Sequence, residues 1–131
     1  MKLKEGMYVR TQLSNFCNII AIRKIDEIDK DDNEMWLDDD VIDDYGDFYN
    51  NIHEEDIELA SEYIIDVLKT GDYVLVNGDN QFLKVKYIDD CEGPIKQLYF
   101  DEDAQDIGIY NSDITQAITK EQMNLMAYKV K

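Results

Sequence analysis

The chain has 131 residues, 44% of them hydrophobic, and carries a formal net charge of −17 with nine Tyr, four Phe and one Trp. That length suits one domain or two very small units, and the aromatic residues distinguish the chain from a disordered acidic tail. No apolar run approaches the roughly 18 residues of a membrane span, and the first six residues are not followed by the apolar stretch of a signal peptide. Bare nucleic acid and anionic membranes would repel a protein with this net negative charge.

The first predicted element begins with a sequence that occurs twice. Residues 3–9 (LKEGMYV) recur as residues 68–74 (LKTGDYV), and in each case a glycine suited to a turn precedes a Tyr-Val pair that opens a strand. An apolar run follows each copy, at 16–25 and at 82–88. Each copy closes on an Asp-Ile pair, Asp56-Ile57 and Asp113-Ile114. The sequence therefore predicts two tandem copies of one β-rich unit.

Acidic residues are concentrated in the first copy. Residues 26–58 hold 16 of the 30 Asp and Glu, with Lys30 as the only base, and this stretch is interpreted as an insert that lengthens the first unit. Residues 1–60 carry −11 and residues 61–131 carry −6. Large aromatic side chains are interleaved with the acids, a combination typical of surfaces that bind Lys- and Arg-rich protein grooves.

The candidate partner-binding residues are Trp36, Asp38, Asp39, Asp40, Asp43, Asp44, Tyr45, Asp47, Phe48, Tyr49, Glu54 and Glu55. The carboxylates would pair with Lys and Arg of the partner, and the rings would supply buried contact area. Side chains on one face of a strand recur about every 6.6 Å, an interval that lets an acidic strand imitate a track of phosphates. The alternative is a solvated face that only keeps the protein soluble.

The second copy carries local turn signals. Asn77-Gly78-Asp79 predicts a hairpin turn between strands at 73–76 and 82–88, and Gly93-Pro94 predicts a turn before a strand at 95–100. Ser61 is a candidate cap for a linker helix at 62–68, and Thr119 with Gln122 for a short helix at 120–126. Residues 128–130 are predicted to return as a last edge strand.

The predicted fold class is mainly β with a minor α contribution. It consists of two tandem small units of the Src-homology-3 type, each a partly open β-barrel, with one or two short helices. Residues 1–60 form the first unit with its acidic insert at about 26–58. Residues 61–131 contain the linker helix, the second unit and the C-terminal short helix.

Motifs for catalysis or cofactor binding are missing from the sequence. Asp29 to Asp40 loosely resembles a calcium loop, but Glu34 stands where the turn needs glycine and Asp40 where a bidentate glutamate is needed. The sole histidine, His53, has no motif linking it to Cys17 or Cys91, which are expected to be reduced thiols. We therefore expect no enzyme, no cofactor, no metal site and no catalytic residue. A small divalent-metal hydrolase using Asp29–Asp44 is the alternative that metal titration would test.

Three stretches resemble known proteins. They resemble small phage and prophage proteins of low-GC Gram-positive bacteria. Residues 4–11 resemble the opening of those proteins, residues 61–74 the middle, and residues 118–123 with 126–130 the end. In size and charge the chain is also similar to anti-CRISPR proteins, several of which mimic DNA. The resemblance implies a stoichiometric inhibitor in the bacterial host cytoplasm that occludes the DNA- or PAM-binding groove of a CRISPR nuclease. Its expected partner is thus a basic nucleic-acid-binding protein of the host, with no direct nucleic-acid or membrane binding. The alternative is a phage structural or adaptor module that binds proteins without inhibiting them.

Overall fold

The computed structural model describes residues 2–14, 17–42, 46–100, 108–122 and 128–129. The first sheet has five antiparallel strands, ordered β4-β3-β2-β1-β5. They are β1 (Tyr8–Ser14), β2 (Cys17–Asp29), β3 (Glu34–Ile42), β4 (Phe48–His53) and β5 (Ile57–Ser61).

The second sheet repeats this arrangement. Its order is β11-β10-β6-β7-β8-β9, so that without β11 the topology matches that of the first sheet strand for strand. Its strands are β6 (Tyr73–Val76), β7 (Leu83–Ile88), β8 (Gln97–Phe100), β9 (Ile109–Tyr110), β10 (Ile114–Ile118) and β11 (Tyr128–Lys129). The mainly β fold of two tandem antiparallel units is confirmed, and among the described residues neither sheet closes into a barrel.

The repeated glycines occupy the same place in both units. The Gly6 amide donates to the Ile25 carbonyl, and the Ile25 amide donates to Met7, each at 2.8 Å. In the second unit Gly71 donates to Val85, and Val85 to Asp72, again at 2.8 Å. Both glycines have positive φ, the backbone region that favours glycine. The similarity of the two sequences therefore reflects one backbone arrangement built twice.

Strand irregularities are repeated as well. The β1–β5 pairing skips Glu58, and the β6–β10 pairing skips Thr115. In the same way the β2–β3 pairing skips Asp26, and the β7–β8 pairing skips Lys86. Such bulges bend a strand and fix its register, so the two units can be aligned residue by residue.

The helical segments are shorter than predicted. Among the described residues they are five 3₁₀ helices, at Glu54–Asp56, Ile64–Val67, Gly93–Ile95, Asn111–Asp113 and Lys120–Gln122. The linker helix predicted at 62–68 is thus one 3₁₀ turn. Ile64, Ile65 and Val67 are all buried, which the tight turn achieves without an α-helix. The helix predicted at 120–126 begins as a 3₁₀ turn, and residues 123–127 lie outside the described residues.

The acidic stretch 26–58 is not an insertion between elements. It comprises the end of β2, all of β3 and β4, the 3₁₀ helix Glu54–Asp56 and the start of β5. Each of these has a counterpart in the second unit. The first unit is longer between its equivalent glycine and aspartate, Gly6 to Asp56 against Gly71 to Asp113. Among the described residues, β2, β3 and β4 have 13, 9 and 6 residues, against 6, 4 and 2 in β7, β8 and β9.

Two hydrophobic clusters form the core, and the second is shared between the units. The first cluster contains Val9, Ile19, Ala21, Ile25, Met35, Leu37, Val41 and Ile52, all from the first sheet. The second contains residues of the linker turn and the second sheet together with Tyr8 and Ile22. Alternation along β1 and β2 explains this, because Val9 and Ala21 face the first cluster while their neighbours face the opposite way. The Thr119 hydroxyl also donates to the Ile20 carbonyl at 2.6 Å, which joins the two units.

Candidate partner-binding surface

Trp36 lies at the centre of an exposed face of the first sheet. Its neighbours Met35 and Leu37 are buried, so the indole points to the opposite, outer side, where it is 38% exposed. It pairs with Glu27 on β2 and with Asn51 on β4. Directly opposed residues on antiparallel strands have Cβ atoms about 5 Å apart, which places a carboxylate beside the ring.

Further polar residues surround this position. Glu34 pairs with Asp29 on one side and with His53 on the other. Its carboxylate accepts a hydrogen bond from the Asn51 side-chain amide, which fixes both side chains. Asp26 is the exposed bulge residue next to Glu27. We call these residues the Trp36 face: Asp26, Glu27, Glu34, Trp36, Asn51 and His53.

Asp38, Asp39 and Asp40 lie where β3 departs from regular pairing. Trp36 pairs with Asn51 and Val41 with Tyr49, so several residues of β3 bulge opposite Asn50. Asp38 Oδ1 accepts the Lys24 amide at 3.2 Å, and Asp39 Oδ1 accepts the Asp40 amide at 2.9 Å. All three are half-buried. They therefore shape the bulge with part of their hydrogen-bonding capacity and do not form a regular ladder of free carboxylates.

A buried arginine holds this bulge. Arg23 Nη2 and Nε donate to the Asp40 carbonyl at 3.0 and 3.3 Å, and Nη1 donates to the Ile22 carbonyl at 2.8 Å. Sequence reasoning did not identify Arg23. The available signal was the Arg23-Lys24 pair inside the apolar stretch of β2. Alternation along a strand places the two on opposite faces, and a buried cation requires partners.

The predicted aromatic anchors differ in accessibility. Phe48 is 65% exposed at the start of β4, beside the exposed Asp47. Tyr49 is half-buried and packs against the first core cluster, so part of its ring contributes to the fold, and its role as a partner-binding anchor stays a prediction. Asp43, Asp44 and Tyr45 lie outside the described residues.

Glu54 and Glu55 lie at the other end of β4. This strand has six residues and spans roughly 17 Å, at about 3.4 Å per residue. Both glutamates are exposed and line, with Asn33 and His53, a cavity of about 450 Å³. The structure thus divides the predicted residues among the Trp36 face, the β3 bulge, the start of β4 and the 3₁₀ helix after it.

Three acidic residues of the Trp36 face were missed: Asp26, Glu27 and Glu34. The usable signal for Glu34 was the polar-apolar-apolar-apolar-polar run of residues 34–38: in a strand with Met35 and Leu37 inward, Glu34, Trp36 and Asp38 share the opposite face. Asp26 and Glu27 could not be assigned in this way, because they join Trp36 only through the register of β2 and its bulge.

Tyr8 is electrostatically coupled to this region. Burial, and secondarily the Asp38 carboxylate, raise the pKa of the Tyr8 hydroxyl above its ordinary value of 10.0. The Lys24 ammonium lies 5.4 Å from the centre of the Tyr8 ring, a cation–π distance.

In the part of the chain that the structure describes, no group of three or more His, Cys, Asp or Glu is placed to hold a metal ion. Asp29 to Asp40 lie along the β2–β3 hairpin. The described helices are all too short to cross a membrane. A cleft of about 520 Å³ lies where the units meet, lined by Lys2, Lys4, Tyr63, Asp66 and Gly93 among others. Its Asp66 is engaged by Ser61, Lys96 and the Gly93 amide.

The chain matches no model of a known protein family, and no curated protein and no solved structure is significantly similar to it.

The Trp36 face has the chemistry to bind a cationic side chain, because it combines an exposed indole with carboxylates held on neighbouring strands.

Proposed function

We propose that this protein is an acidic inhibitor that occupies the nucleic-acid-binding groove of a basic bacterial protein. A CRISPR effector nuclease is the first target to test, because the resemblance to small phage proteins and to anti-CRISPR proteins suggests it. The observation that supports the proposal is the Trp36 face, where an indole 38% exposed lies between strands that carry acidic side chains.

The physical argument concerns charge and anchoring together. A net charge of −17 attracts a basic groove over several ångströms and accelerates encounter. Charge alone gives weak, salt-sensitive contacts, whereas a buried aromatic ring supplies most of the energy at many interfaces. Trp36 with Glu27 and Glu34 offers both within one small area. The complex would exclude nucleic acid, since both ligands require the same Lys and Arg side chains.

The experiment is a pull-down from a lysate of a CRISPR-bearing Gram-positive host at low and high salt, with the bound proteins identified by mass. The captured protein is then tested for DNA binding in the presence of increasing inhibitor. We expect a stoichiometric loss of DNA binding that Trp36→Ala abolishes and that Asp26→Asn/Glu27→Gln/Glu34→Gln weakens.

The matched control neutralises three exposed acids of the second unit, Asp79→Asn/Asp90→Asn/Glu92→Gln. It removes the same formal charge from the chain and should retain inhibition. If both triple variants weaken inhibition equally, the net charge of the chain causes inhibition wherever the acids lie, and the proposal that the Trp36 face is the binding surface is wrong. Retained inhibition by Trp36→Ala would contradict the anchoring role.

The second candidate function is an adaptor that binds proteins without inhibiting them. Large apolar side chains away from the Trp36 face favour it, since Phe48 and Ile95 are each 65% exposed. An adaptor complex would survive high salt and would leave DNA binding by the captured protein unchanged.

A further inference from the structure

The outer face of the second sheet carries a cluster of tyrosines. Tyr87 and Tyr99 pair across β7 and β8, with ring centres 5.7 Å apart, and Tyr110 pairs with Gln97 on the neighbouring strands. Tyr87 is 55% exposed and Tyr110 43%. Leu98 and Phe100 are buried in the core, and Ile88 and Ile109 pack against it. The tyrosines are their immediate neighbours along the strands and therefore face outward.

Two exposed lysines adjoin this cluster. Lys86 is the bulge residue before Tyr87, and Lys84 precedes the buried Val85. The acid nearest in sequence, Asp89, is held by the amides of Cys91 and Gln97 at 3.2 and 3.1 Å. We call these residues the Tyr87 face: Lys84, Lys86, Tyr87, Gln97, Tyr99 and Tyr110.

The Tyr87 face is the positional counterpart of the Trp36 face. The strand registers align Tyr99 with Trp36 and Tyr110 with His53. They also align Lys86 with Asp26, Tyr87 with Glu27 and Gln97 with Glu34. The two faces therefore have the same spacing of side chains but opposite charge at the bulge, and acids occur on the first face only.

We propose that the Tyr87 face of one molecule docks on the Trp36 face of a second copy of this chain. The ammonium groups of Lys84 and Lys86 would meet Asp26, Glu27 and Glu34, and the tyrosines would pack against Trp36. We infer a second copy as the molecule bound to the Trp36 face because the Tyr87 face has the opposite charge and the same spacing of side chains. Lys24, the counterpart of Lys84, has its ammonium over the Tyr8 ring, and one lysine leaves Asp26, Glu27 and Glu34 with a net negative charge.

The net charge of −17 does not prevent this contact at physiological ionic strength. Salt at 0.15 M screens charges separated by more than about 8 Å. The distant acids of two molecules are then largely screened, whereas paired groups within the interface are screened much less. Association should therefore be stronger at 0.15 M salt than at 0.01 M, where the screening length is about 30 Å.

Each molecule has one face of each kind, so the contact is heterologous. Repeated head-to-tail contacts give rings or short chains rather than a closed twofold pair. Because the Trp36 face is used, self-association would compete with the partner of the proposed function by mass action.

The test is sedimentation velocity of the full chain at increasing protein concentration in 0.15 M salt. We expect a concentration-dependent increase in the sedimentation coefficient, with dissociation constants below about 1 mM. Lys84→Glu/Lys86→Glu should weaken self-association at least about tenfold, and Asp26→Lys/Glu27→Lys should do the same, because each places like charges opposite one another.

An equimolar mixture of these two variants distinguishes face-to-face docking from a nonspecific charge effect. In the mixture the Lys-bearing first face of one variant can meet the Glu-bearing second face of the other, and the unmodified Trp36 face and Tyr87 face can also meet. Both contacts are complementary in charge, so the mixture should associate again. The control Lys4→Glu/Lys120→Glu makes the same charge change as Lys84→Glu/Lys86→Glu, at exposed positions outside both faces, and should behave as wild type. A monomeric wild type throughout the concentration range, or no recovery in the mixture, overturns the proposal. Inhibition is not measured in this test, so its failure leaves the proposed function untouched.

Discussion

Arg10 on β1 and Asp72, immediately before β6, form a buried ion pair that connects the two β units. Arg10 Nη1 lies 2.6 Å from Asp72 Oδ2, and Nη2 lies 3.3 Å from Oδ1. The Lys69 amide also donates to Asp72 at 2.8 Å. In the repeated sequence, Asp72 occupies the position of Met7 in the first unit, so the partner of Arg10 arises from one of the few differences between the copies.

Replacing Arg10 should destabilise the whole chain. Arg10→Met leaves the Asp72 carboxylate buried without its cation, and we expect the free energy of unfolding to fall by roughly 3–5 kcal/mol. Urea denaturation followed by tryptophan fluorescence measures this. Arg10→Met/Asp72→Asn removes both charges and should recover part of the loss. A change below about 1 kcal/mol in the single variant would mean that the pair behaves like an exposed one.

Gly93 should tolerate a side chain less well than Gly78. Both have positive φ, but a Cβ on Gly93 would lie 3.1 Å from Tyr63 Cε2, whereas one on Gly78 meets nothing within 4 Å. We expect Gly78→Ala to cost about 1–2 kcal/mol through its backbone alone, and Gly93→Ala to cost more. Thermal unfolding of the two variants gives the comparison. Equal losses would show that the Tyr63 ring moves aside freely.

The two aspartates that close the equivalent 3₁₀ helices should contribute equally. Asp56 Oδ2 accepts the His53 amide at 3.0 Å, and Asp113 Oδ2 accepts the Tyr110 amide at 3.1 Å. Asp56→Ala and Asp113→Ala should each reduce the free energy of unfolding by about 0.5–2 kcal/mol, the range of a lost capping interaction. Asn at either position keeps an acceptor and should cost less. A large loss at one position only would show that the units are not energetically equivalent there.

Tyr8 should make the protein less stable in alkali. Its pKa is raised in the folded state, so above the unfolded pKa of about 10 the unfolded chain loses the proton first. Stability is therefore fully present below pH 10 and falls as the pH rises through the folded pKa. Tyr8→Phe should flatten the decrease, measured as the difference from wild type in urea denaturation between pH 9 and pH 11.5. Asp38→Asn should reduce the effect only partly, because burial is the larger cause. Parallel slopes for wild type and Tyr8→Phe would contradict this assignment.

The sequence predicted those parts of the fold that depend on residues close together in the chain, such as turns. The hairpin at Asn77-Gly78-Asp79 joins β6 and β7 as expected, and the Asp79 amide donates to the Val76 carbonyl at 3.0 Å. The repeated glycines and the Asp-Ile pairs mark equivalent turns and 3₁₀ ends. The linker was predicted as a helix because a capping Ser61 precedes apolar residues. A short apolar run does not distinguish an α-helix from a 3₁₀ turn that buries its three apolar residues.

Contacts between residues far apart in the sequence could not be predicted from it. The density of acids predicted Asp38–Asp40 as partner-binding residues. In the structure the Lys24 backbone amide donates to Asp38, and the Arg23 guanidinium donates to the Asp40 carbonyl. Asp26 and Glu27 join Trp36 only through the register of β2, which depends on a bulge. The Arg10–Asp72 pair joins residues 62 positions apart. Each of these depends on which strands are neighbours, which periodicity does not reveal.

Among the described residues, the outermost strands of the second sheet, β9 and β11, have two residues each. Strands this short offer few unpaired backbone groups, so they are poor templates for another chain to extend. Chain-to-chain growth by hydrogen bonding along these edges, the route to irreversible fibres, is thereby discouraged. The proposed self-association through the two faces would instead proceed through side chains, in a form that dilution can reverse.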